Sequence, residues 1–146
     1  SNPENTVGVM SLAGRNPELL MSPTDDMGKI MTSIHDVELS GLLNFADGVQ
    51  IAYLALKHRR NKNGGQRIVV FAGSPIAEDE KQLVKVAKKL KKSNVAVDIV
   101  HFGGEPGNQE KLEAFHSAVN SNDNSKQHAT MPISLTTSKM GGFFRT

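Results

Sequence analysis

Val49-Gln50-Ile51-Ala52-Tyr53-Leu54-Ala55-Leu56-Lys57-His58-Arg59-Arg60, the loop Asn61-Lys62-Asn63-Gly64-Gly65 and the run Gln66-Arg67-Ile68-Val69-Val70-Phe71-Ala72-Gly73-Ser74-Pro75 decide the fold. Phe45, Val49, Ala52, Tyr53 and Leu56 recur at the spacing of one helical face, and the cations Lys57 to Arg60 suit the negative end of a helix dipole. The polar, glycine-bearing loop then yields to Ile68–Ala72, a continuous apolar run expected of a strand covered by helices on both faces. Helix, loop and buried strand in that order form part of an α/β repeat. The strand closes on Gly73-Ser74-Pro75, at the carboxyl end where open α/β sheets place their ligand chemistry.

Downstream the alternation continues. Glu78-Asp79-Glu80 opens a helix whose Leu83, Ala87 and Leu90 face inward, while Lys81, Lys85, Lys88, Lys89 and Lys92 face mainly outward, and Asn94 ends it. Val95 to Phe102 is the next strand, Gly103-Gly104-Glu105-Pro106-Gly107 a turn, and Leu112, Phe115 and Val119 mark a further helix. His128 to Ile133 reads as an edge strand, and Leu135 to Thr146 shows no period. Upstream, the apolar residues of Thr6–Ala13, the turn signal Gly14-Arg15-Asn16-Pro17 and Leu19-Leu20-Met21 predict a hairpin. Pro23-Thr24-Asp25-Asp26 then looks like a helix start, with Met27, Ile30, Met31 and Ile34 as a stripe expected to be core. Together these elements predict an α/β domain: a mostly parallel sheet with helices on both faces, right-handed crossovers and one antiparallel edge strand.

At 146 residues with 38% hydrophobic content the chain suits one domain, and with no cysteine it offers neither disulfides nor thiolate metal sites. A formal charge of +2 falls well short of the concentrated basic stripe of a dedicated nucleic-acid binder. No apolar run approaches the ~18 residues of a membrane span, and Ser1-Asn2-Pro3-Glu4-Asn5 lacks the features of a signal peptide. The expectation is a soluble protein of cytoplasm and nucleus, with neither nucleic acid nor membrane as partner.

Four blocks carry a resemblance: Ser1 to Gly8, Gln50-Ile51-Ala52 through Leu54 to Arg59, Arg67-Ile68-Val69 through Gly73-Ser74-Pro75, and Ala87 to Lys92 through Val97-Asp98-Ile99. Together they resemble the N-terminal von Willebrand factor A (VWA) domains of ubiquitin-receptor, non-ATPase subunits of the proteasome regulatory particle. The resemblance covers roughly residues 1 to 130, giving a VWA-like domain over 1–134 and a divergent tail over 135–146. It implies a Rossmann-like sandwich and a non-catalytic module that docks a ubiquitin receptor to neighbouring lid and base subunits in ubiquitin-dependent degradation. Two departures are expected to matter. The family's domain opens with a strand and helix, and this chain begins in the loop after them, leaving strand edges uncovered. The acidic and then apolar ubiquitin-interacting helix that lies downstream in the family is not recognisable here, so polyubiquitin is expected to bind only through that absent helix.

Family members of the metal-dependent adhesion type bind a divalent cation with oxygens from three loops. The first loop is not recognisable here, and the third, which usually supplies an acidic residue after the strand, reads Gly73-Ser74-Pro75, so no metal is expected. Ser74 lacks the Gly-x-Ser-x-Gly elbow of a hydrolase nucleophile. Gly103 to Gly107 lacks the order of a dinucleotide loop, and His35, His58, His101, His116 and His128 show no ligand-like spacing, His101 reading as a satisfied core or rim residue. No catalytic residue and no cofactor are expected, with an adhesion-type metal domain or a small cofactor-binding enzyme domain as the alternatives. The candidate protein interface is Asn44, Phe45, Asp47, Ser74, Pro75 and Glu105, on loops near the carboxyl ends of strands. The alternative interface, or a ubiquitin-acceptor face, is Lys85, Lys88 and Lys92.

Overall fold

The computed structural model describes residues 5–37, 41–59, 62–102 and 105–120. Strands β1 (Val7–Ser11) and β2 (Glu18–Thr24) form the expected antiparallel hairpin, with Val9 opposite Met21 and Met10 opposite Leu19 across an irregular register. Helix α1 (Met27–His35) follows, α2 spans Phe45–Lys57, and β3 (Gln66–Ala72), α3 (Glu80–Lys92), β4 (Val95–His101) and α4 (Asn108–Asn120) complete the order. The first helix starts later than its sequence signals predict. Pro23 and Thr24 finish β2, and Asp26 is the N-cap, its carboxylate accepting the Lys29 N–H.

β3 and β4 run parallel and in register, Ile68 opposite Val97 and Val70 opposite Ile99, so their inward side chains share one face. That face joins α2, α3 and α4 in a single core in which Phe45 and Phe115 meet edge to face, ring centroids 4.9 Å apart. Leu83, Ala87 and Leu90 are buried as their spacing predicts, and Asn94 takes a positive φ of 53° just past the end of α3. The opposite face of β3 departs from expectation. Val69 and Phe71 are about half exposed, so the described residues cover the apolar run fully on one face only.

The sheet is also divided. The described strands form two two-stranded ladders, β1 with β2 and β3 with β4, linked through Leu43, which bridges Ala13 on one side and Ile76 on the other. The hairpin docks through a close approach at Gly48, where a Cβ would lie 2.1 Å from Leu12 Cδ2, so only glycine lets that leucine sit flush on α2. The stripe on α1 is the main correction to the predicted core: Ile30 is buried, but Met27, Met31 and Ile34 are 66%, 52% and 53% exposed. Nothing described lies over them. The edge strand predicted for His128–Ile133 and the tail 135–146 lie outside the described residues.

Candidate functional site

Because β3 and β4 are parallel, both carboxyl ends emerge on one rim, and the Phe102 N–H bonds to the Ala72 carbonyl at 3.0 Å to carry the pairing past the last ladder residue. The Phe102 ring lies where a Cβ on Gly73 would be, which fixes how the chain leaves β3. The next five residues are tied down by side chains from elsewhere. Asn108, 2% exposed at the start of α4, donates Nδ2–H to the Ser74 carbonyl at 2.8 Å and accepts the Ile76 N–H at 3.0 Å. Lys111 Nζ donates to the Ile76 carbonyl at 3.0 Å. Leu43 adds a strand-like pair of backbone bonds, its N–H to the Pro75 carbonyl and its carbonyl to the Ala77 N–H.

The N-terminus of α2 opens onto the same rim. Its N-cap residue, Asn44, makes no capping bond and instead donates Nδ2–H to the Gly14 carbonyl at 2.9 Å, tying the hairpin turn to the rim. The cap comes from Glu78, whose two carboxylate oxygens accept the Phe45 and Ala46 N–H groups at 3.1 and 2.8 Å. A carboxylate across the first turn satisfies two orphan donors and meets the positive end of the helix dipole at once. Asp79 is then left to N-cap α3, where it and Gln82 form a reciprocal capping box.

The rim therefore gathers Asn44, Ser74, Pro75 and Glu105, the last tied to Asn108 through a 3.4 Å bond from the Asn108 N–H to its carbonyl. Pro75 and Asp47 face solvent, while Asn44, Ser74 and Glu105 are half-buried. Phe45 does not belong with them. It is fully buried against Phe115 and serves the core, because the first turn of α2 already faces inward when Glu78 caps it. Lys85, Lys88 and Lys92 lie apart on the exposed face of α3. Glu78 and Asn108, which hold the rim together, are absent from the set read from sequence. An Asn after the turn Glu105-Pro106-Gly107 and a Glu before an N-cap Asp are the only local traces they leave.

Chemically, the arrangement presents backbone and fixed side chains. The first carboxylate after β3 in the chain, that of Glu78, is already engaged by two N–H groups. Among the described residues no three His, Cys, Asp or Glu side chains are grouped as metal ligands would be. His101, at the end of β4, is buried with its Nε2 lacking a hydrogen-bond partner, which departs from the satisfied histidine expected there.

Comparison with known proteins agrees with this geometry. The profile of the von Willebrand factor type A domain matches residues 1–76. The chain is 54% identical over 126 residues to a 26S proteasome non-ATPase regulatory subunit 4 homolog of Oryza sativa subsp. japonica, covering 86% of this chain and 31% of that protein. It is 51% identical over 122 residues to the 26S proteasome regulatory subunit rpn10 of Schizosaccharomyces pombe, covering 84% and 50%. The crystal structure of the SpRpn10 VWA domain superposes with a TM-score of 0.73 at 49% identity, covering 84% of this chain and 62% of that one. The chain spans half or less of the length of those two full-length relatives.

Proposed function

Since this chain belongs to the von Willebrand factor type A domain family, we propose that it is a non-catalytic docking module of the proteasome regulatory particle, which seats a ubiquitin-receptor subunit against its neighbours in ubiquitin-dependent degradation. The observation that carries this reading is identity of about half to proteasome regulatory subunits over 84–88% of the chain. The rim supports it physically. Its loops are held from four directions by Asn108, Lys111, Leu43 and Glu78, so they present a fixed surface that loses little entropy when a partner binds. A site built for turnover would instead place a poised base or nucleophile there.

Partners under this reading are other lid and base subunits, met through Asp47, Pro75 and the exposed parts of Asn44, Ser74 and Glu105, in cytoplasm and nucleus. The test is a double substitution, Ser74→Arg with Glu105→Arg, in the tagged chain expressed in cells. Asn108 holds the Ser74 backbone carbonyl and not its side chain, so the fold should tolerate the change. Circular dichroism and melting should stay as in the parent while co-purifying regulatory-particle subunits fall several-fold. Full retention of those subunits by the folded variant would move the interface off the rim, with Lys85, Lys88 and Lys92 next in line.

A further inference from the structure

Six of the 17 lysines and arginines of the chain fall within the thirteen residues of α3. Lys89, Lys91 and Lys92 occupy the last turn, where cations complement the helix dipole, and Lys89 Nζ also sits 6.0 Å from the centre of the Tyr53 ring. Lys81, Lys85 and Lys88 have no such account. Lys81 stands in the first turn, at the positive end of the dipole, and Lys85 and Lys88 follow it at i+4 and i+7 on one exposed stripe. Like charges at that spacing repel, and a cation at a helix N-terminus is unfavourable. None of the three is in an ion pair among the described residues, and the nearby carboxylate of Asp79 is spent on its cap.

The same three lysines, with Glu80 and Val84, line a shallow hollow of about 380 Å³. Among the described residues its lining comes from α3 alone, and it is shallow and open to solvent. Three lysines against the one carboxylate of Glu80 leave the lining around a half-buried valine net positive, which suits a ligand with carboxylates and an interspersed apolar side chain. From Lys81 to Lys88 the stripe is about 10 Å long at 1.5 Å per residue, the span of a short peptide segment. Nucleic acid would call for a longer basic track with aromatic platforms, and the described lining offers neither.

We propose that this face of α3 is a docking site for an acidic peptide segment of a partner protein, its carboxylates meeting Lys81, Lys85 and Lys88 and an apolar side chain resting on Val84. The inference does not depend on the assembly reading, since it needs no other subunit to be tested. The probe is a fluorescein-labelled twelve-residue peptide of repeating Glu-Glu-Leu, titrated with the full chain at low ionic strength and followed by anisotropy. Its Glu-to-Gln counterpart, an oligothymidylate of twelve nucleotides and phosphatidylserine vesicles complete the set. Lys85→Gln with Lys88→Gln is compared with Arg15→Glu, on the hairpin turn, because each lowers the formal charge by two.

The Glu-Leu peptide should bind, weaken as salt is added, and lose about five- to ten-fold in affinity in the double lysine variant, against less than about two-fold in Arg15→Glu. Val84→Ser should weaken binding while leaving the salt dependence unchanged. Equal losses in the two charge variants would show only a response to net charge and overturn the site. So would absence of binding, or tighter binding of the oligonucleotide or vesicles through the same lysines. Matching melting curves for all variants keep a folding defect from imitating the result.

Discussion

The two ends of this molecule use the same residue types and reach different degrees of closure. From Leu43 to Val119 most apolar residues converge on one cluster, with Phe45, Ala72, Leu83, Ala87 and Phe115 fully buried, while Leu54, Val69, Phe71 and Phe102 stay about half exposed. The hairpin and α1 bring Leu12 to that cluster only at its margin, and they leave Val7, Leu19, Leu20, Met27, Met31 and Ile34 substantially exposed. Composition does not separate the halves; neighbours do. Each helix of the larger half has a sheet face or another helix to close against, whereas the hairpin is a two-stranded ribbon between α1 and the margin of α2. Such a ribbon is marginal by itself.

Large-to-small substitutions should break that comparison most visibly. Phe115→Ala removes a fully buried ring and its edge contact with Phe45, and is expected to cost about 3–5 kcal/mol in urea denaturation followed by circular dichroism. Met31→Ala on α1 should stay within about 0.5 kcal/mol, as for other exposed positions. A comparable loss at Met31 would mean that a layer covers α1 in solution, and the contrast between the halves would fall.

The rim that joins the halves comes next in size. Asn108→Ala leaves a buried Ile76 N–H and the Ser74 carbonyl unpaired, an expected loss of about 2–3 kcal/mol. Hydrogen exchange should speed up at Ile76 before it does in β3, and protection unchanged at Ile76 would count against this role. Glu78→Gln keeps the shape but not the charge facing the α2 N-terminus, and should cost about 1 kcal/mol, reported by faster exchange at Phe45 and Ala46. Unaltered exchange there would assign the cap to another group.

A small effect is also expected on the half-open outer face of β3–β4, where Arg67 Nη1 donates to Asp98 Oδ2 at 2.6 Å with the arginine side chain 47% exposed. Asp98→Asn should change stability by less than about 1 kcal/mol and by still less at high salt. A larger, salt-insensitive loss would show that this face is drier than its exposure indicates.

Much of this organisation was legible in the sequence where period and chemistry act locally. The spacing of Leu83, Ala87 and Leu90 and the break at Asn94 fixed α3, and the apolar run Ile68–Ala72 located β3. The stripe on α1 shows where that reading stops: a period says which side of a helix is apolar, not whether anything lies against it. The same limit let Phe45 pass for a rim residue, since the first residue of a helix can turn either way until its cap is known. Glu78 and Asn108 were beyond reach for a further reason, because their partners lie more than thirty residues away and no local pattern marks a side chain that will bond to a distant backbone.

That distance also orders events in time. A helix capped by its own N-cap residue can settle as soon as it leaves the ribosome, but the first turn of α2 must wait for a carboxylate 33 residues behind it in the chain. At about 5–20 residues per second that wait is on the order of seconds, far longer than a helix needs to form or melt. During synthesis, then, α2 is expected to fray and re-form at its leading end until β3 is in place and Glu78 arrives to latch it.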